Sequence, residues 1–96
     1  FKDTVIGYSS LPVTFTIENR GAADLQISSI ILTKGEKDFK IDLQGTSFLV
    51  PPNESTTFDI IFSPDQKAKQ IGTLEIQSND PDTDKLKISL EGTGLQ

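Results

Sequence analysis

Residues 13–21 read Val13-Thr14-Phe15-Thr16-Ile17-Glu18-Asn19-Arg20-Gly21. Val13, Phe15 and Ile17 alternate with Thr14, Thr16 and Glu18, so an extended chain here has one apolar face and one polar face. Asn19 and Gly21 then break the pattern with residues suited to reversing the chain. The same period of two returns at 57–62, where Phe58, Ile60 and Phe62 share a face. It returns again at 73–78 with Leu74 and Ile76, and at 85–91 with Leu86, Ile88 and Leu90. Each stretch reads as a half-buried strand.

Turn signals separate the strands: Lys34-Gly35-Glu36, Pro51-Pro52-Asn53 and Ser78-Asn79-Asp80-Pro81. Two segments are less regular. Leu25, Ile27, Ile30 and Leu32 share a face only if an extra residue intrudes at Ser28-Ser29, which predicts a β-bulge. Residues 38–50 read as a short strand over 39–43, a loop over 44–47 and a second short strand over 48–50. No stretch has apolar residues at helical spacing over three turns, so helix content is expected near zero. The fold expected is all-β: an immunoglobulin-like antiparallel β-sandwich of about seven strands.

Ninety-six residues fit one domain, expected over 1–94, with 95–96 as a linker or tail. With no cysteine, a hydrophobic core must supply the stability alone. Every phenylalanine beyond Phe1 is assigned to that core. No methionine occurs, so Phe1 is expected to follow a cut or processing event in a longer parent. No apolar run approaches the roughly 20 residues of a membrane helix, so direct membrane insertion is not expected.

The net charge of −5 argues against nucleic acid, because a phosphate-binding surface needs clustered lysine and arginine, and the nine basic residues are scattered. Without histidine or cysteine, Ser–His and Cys–His catalysis and imidazole or thiolate metal sites have no members. No carboxylate pair stands out by spacing, so no enzyme activity, catalytic residue, cofactor or resident metal is expected. Asp80, Asp82, Asp84 and Glu91 fall at positions 1, 3, 5 and 12 of an EF-hand loop counted from Asp80. Lys85 occupies the sixth position, which needs glycine, and flanking helices are absent; a weak surface Ca²⁺ site on the three aspartates is the residual alternative to a solvated turn.

Several of these segments, taken in order, carry a family resemblance. Residues 13–21 followed by Asp24-Leu25-Gln26-Ile27-Ser28 resemble an F-x-I-x-N-x-G-x-x-x-L-x-I-S signature. Val50-Pro51-Pro52-Asn53-Glu54-Ser55-Thr56-Thr57-Phe58, running on to Phe62-Ser63-Pro64, resembles a Pro-rich turn and a strand ending in F-x-P. Ser78-Asn79-Asp80-Pro81 and Leu90-Glu91-Gly92-Thr93-Gly94 resemble a last hairpin and terminus, and Val5-Ile6-Gly7 resembles a V-x-V-G turn. The set is similar to the ASH (hydin-like) domain family, especially its bacterial choice-of-anchor D branch. Gly92 and Gly94 are read as a flexible exit.

That resemblance implies a spacer or docking module with a protein partner or neighbouring tandem domains. The parent is expected to be a secreted or surface-associated bacterial protein, outside the cytoplasm. The alternative is an intracellular docking module of the eukaryotic ciliary or centrosomal type. A carbohydrate-binding module is a third class. It is disfavoured because there is no tryptophan and Tyr8 alone is free to form an aromatic platform; small-molecule binding is disfavoured with it. Ile31 and Ile61 fall on outward faces where alternation calls for polar residues, which makes them the candidate contact residues. Asn53-Glu54-Ser55 also fits a glycosylation sequon, a pattern short enough to arise by chance.

Overall fold

The computed structural model describes residue 1, residues 3–80 and residues 84–96. The strands are β1 (Thr4–Val5), β2 (Val13–Glu18), β3 (Leu25–Lys34), β4 (Phe39–Asp42), β5 (Leu49–Val50), β6 (Ser55–Phe62), β7 (Lys69–Ser78) and β8 (Lys85–Leu95). They form two sheets, one ordered β1-β8-β7-β3-β5 and the other β2-β6-β4. This is the all-β, immunoglobulin-like architecture that the period-two segments predict, with no helix among the described residues. One pairing departs from the antiparallel expectation: β1 runs parallel to β8, with Thr4 opposite Gly94 and Val5 opposite Leu95. Leu95, placed in a tail by sequence, is therefore the last residue of β8.

The core forms where the inward residues of both sheets meet. Ile27, Ile30, Leu74, Ile76 and Leu90 come from the larger sheet, and Phe39, Phe58, Ile60 and Phe62 from the smaller, with Val50 from β5. Phe39 and Phe62 stack at 5.0 Å, and Phe1 lies across both at 5.3 and 6.1 Å. Offset and tilted aromatic pairs of this kind add to simple area burial. Phe48 departs furthest from the expected aromatic core, at 37% exposure. It precedes a two-residue strand at the sheet edge, so its backbone serves the ladder through the Ile27 N–H while its ring stays outside.

The bulge is where the apolar pattern requires it. Ile27 pairs with Ser78 and Ser29 with Gln77, so Ser28 is the extra residue, and Ile30 and Leu32 return to the inward face. Gly92 and Gly94, by contrast, are buried strand residues and no flexible exit. A Cβ at Gly92 would lie 2.7 Å from the Phe62 ring, and one at Gly94 would meet the Gln66 carbonyl. These glycines let β8 press against the opposite sheet and the loop before β7.

Asn19 fixes the turn after β2. It is buried; its Nδ2 donates to the Ala23 and Val50 carbonyls at 2.8 Å, and its Oδ1 accepts from the Gly21 N–H at 2.9 Å. Its carbonyl also accepts from the Asn53 N–H at 2.8 Å. Asn53 itself sits at φ 65°, a left-handed conformation that asparagine tolerates better than most residues.

Candidate interaction surface

Ile31 and Ile61, the two apolar residues at polar positions, lie on different sheets. Ile31 is 46% exposed on the outer face of the larger sheet, opposite Glu75. Ile61 is half-buried on the outer face of the smaller sheet, opposite Lys40. Because the sheets pack inner face to inner face, the two isoleucines point to opposite sides and cannot form one patch. The larger sheet carries a second exposed isoleucine, Ile71, at 63%. Its sequence signal was an apolar residue in the same parity as Thr73 and Glu75, the outward residues of β7.

A different apolar surface opens along one side of the sandwich. Val13, Phe15 and Ile17 of β2 and Leu86 and Ile88 of β8 have inward parity, yet all are half-buried or exposed, Leu86 at 45%. The cause is topological. β2 is an edge strand, and β8 is bordered by β1 only at Gly94 and Leu95. Between these two edges runs a groove of about 350 Å³ lined by Phe15, Ile17, Leu86 and Ile88, with Phe58 and Ile76 at its floor. Phe15 and Phe58 stack in parallel there at 5.4 Å.

The backbone orientation of β8 follows from its hydrogen bonds. The Gly94 N–H donates to Ala68 in the β7 direction, while the Glu91 and Leu95 carbonyls accept from Phe1 and Ile6 on the other side. The β7–β8 register is unbroken from Lys69–Thr93 to Gln77–Lys85. Alternation then turns the N–H and C=O groups of Lys85, Lys87 and Ser89 outward, toward an edge with no further strand among the described residues. The Lys85 and Lys87 side chains are exposed and form no ion pair there. The described ion pairs are Arg20–Glu18 and Lys69–Glu91.

A third surface lies where β1 and β8 end. Tyr8 and Leu11 are exposed beside a groove of about 550 Å³ that includes Phe1, Val5, Pro12 and Val13. Ser9 and Ser63 share a hydroxyl hydrogen bond at 2.7 Å, and the Ser10 hydroxyl accepts from the Phe62 N–H, so this segment is tied to the end of β6. Nearby, Asp38 is buried and accepts from the Asp65 N–H at 3.3 Å. Burial raises its carboxyl above the ordinary aspartate value, and the Asp65 carboxyl beside it adds to the rise.

Asp82, the middle member of the acidic turn considered for Ca²⁺, lies outside the described residues. No group of three metal-ligating side chains occurs among those described. No helix of the described residues is long and apolar enough to cross a membrane.

The fold is that of a small β-sandwich of the ASH, or PapD-like, class. The profile of Cep192 domain 4 matches residues 5–95, and the chain belongs to that family. Among solved structures it is similar to the ASH / PapD-like domain of human CEP192 (PapD-like domain 7), with a TM-score of 0.69 and 14% identity. That match covers 100% of this chain and 79% of the other. It is also similar to the secreted serine protease VesC from Vibrio cholerae, with a TM-score of 0.67 and 14% identity over 97% of this chain. The chain spans 21% of that protease's length. At such identities both likenesses speak to the fold alone. No curated protein matches at a significant level.

Proposed function

We propose that this domain is a non-catalytic docking module that holds a protein partner or a neighbouring domain. The observation that carries this is the Cep192 domain 4 match over residues 5–95. The absence of histidine and cysteine from the sequence and the two apolar grooves support the same reading. The family match favours the intracellular, centrosomal type of docking module. The expectation of an extracytoplasmic bacterial parent rests on the choice-of-anchor D resemblance alone, and nothing in the family match supports it. The likeness to a secreted protease is one of fold and does not restore it.

Deleting residues 5–95 from the full-length protein and comparing its crosslinked partners with those of the intact protein tests this reading. Loss of a defined partner is the expected result. An unchanged partner set would refute docking. Cell fractionation of the intact protein separates the two settings, with the soluble or centrosomal fraction expected.

A further inference from the structure

The open edge of β8 combines three features that are separately unremarkable. Outward-facing backbone groups at Lys85, Lys87 and Ser89 can accept a further strand. Directly beneath them, Leu86 and Ile88 leave apolar surface uncovered, although their parity is that of core residues. On the solvent face of the same edge stand Lys85, opposite Gln77, and Lys87, opposite Glu75, neither within ion-pair distance of a described carboxylate. Of the carboxylates lining the groove, Glu18 is held by Arg20 at 2.9 Å and Asp80 stands at the β7–β8 hairpin.

We propose that the β8 edge receives an extended partner segment, which adds as a strand with apolar residues alternating with carboxylates opposite Lys85 and Lys87. This rests on the docking reading and specifies its surface. A strand added there has the side-chain period of two, so one set of its residues enters the groove against Ile88, Leu86 and Ile17. The other set stands on the solvent face beside the lysines, where cross-strand opposite charges are favourable. Main-chain hydrogen bonds supply affinity, and the alternation supplies selectivity. Charge complementarity is what selects an acidic segment.

The test uses the full-length protein and two capped eight-residue peptides, one alternating valine with glutamate and the other valine with lysine. Hydrogen exchange read at single-amide resolution should show Lys85, Lys87 and Ser89 exchanging freely without peptide and protected by the glutamate peptide. The double variant Lys85→Glu/Lys87→Glu, on exposed side chains, should weaken that peptide roughly tenfold and bind the lysine peptide better. The proposal is overturned if these amides are already protected without peptide, since the protein's own chain then covers the edge. Absence of binding, equal binding of both peptides, or protection on a different strand overturns it too. Should deletion of residues 5–95 remove a partner that the double variant retains, docking stands and the β8 edge is not its site.

Discussion

Asn19 shows how one side chain can close a turn. Its buried amide donates to the buried Val50 carbonyl and to the Ala23 carbonyl of the exposed turn, and accepts from the Gly21 N–H of the same turn. Asn19→Ala removes the buried donor to the Val50 carbonyl, and the expected loss is about 1–3 kcal/mol, read as a lower urea midpoint at unchanged m-value. Gly92→Ala tests the close approach of β8 to the opposite sheet. The Phe62 ring is fully buried and cannot swing away, so a loss of about 1–3 kcal/mol by overpacking is expected in thermal or urea unfolding.

Asp38 supplies a pH signature. Its folded carboxyl titrates above its unfolded value, because burial and the Asp65 carboxyl disfavour the charge. The folded state therefore holds the proton more tightly. The stability this lends is fully present below the ordinary aspartate value and is lost as pH rises through the raised one. Urea midpoints of the wild type relative to Asp38→Asn should fall across that acidic interval and level off above it. A difference that grew with pH would contradict the assignment.

At the scale of elements, β3 carries the sharpest dependence on a single residue. Ser28 is the bulge, and deleting it would slip the strand by one position, turning either Leu25 and Ile27 or Ile30 and Leu32 outward. Loss of cooperative unfolding in circular dichroism is expected for that deletion, whereas Ser28→Ala should stay within about 0.5 kcal/mol of the wild type. This bulge was legible in the sequence because four apolar residues had to share one face. The strands themselves were legible from their alternation. Alternation reports parity, though, and carries no information about which edges lack a neighbour. Val13 and Leu86 consequently read as core and turn out exposed, and Ile31 and Ile61 read as comparable and turn out on opposite sides. Gly92 and Gly94 read as an exit because glycine at a chain end and glycine under an aromatic ring look alike in sequence.

For the whole molecule, the register joins residues far apart in sequence: Thr4 to Gly94, Val13 to Ile60, Leu25 to Val50. Such non-local pairing places folding on the order of milliseconds to seconds, measurable by stopped-flow fluorescence of Tyr8 or by circular dichroism. The same topology decides where docking surfaces can exist. Strand edges and outer faces are set by the sheet order, and among the described residues the β8 edge brings together outward backbone groups, uncovered apolar side chains and two lysines outside any ion pair.

The parallel pairing of β1 with β8 has a mechanical consequence. Tension applied between Phe1 and Leu95 acts at opposite ends of two adjacent strands running the same way. Pulled apart, the strands slide lengthwise and their hydrogen bonds are strained together, in shear, instead of being peeled open one at a time. The Ile6 N–H to Leu95 bond at 2.7 Å and the Phe1 contact with Glu91 mark the ends of that loaded seam. A domain with this arrangement resists stretching first and unravels afterwards.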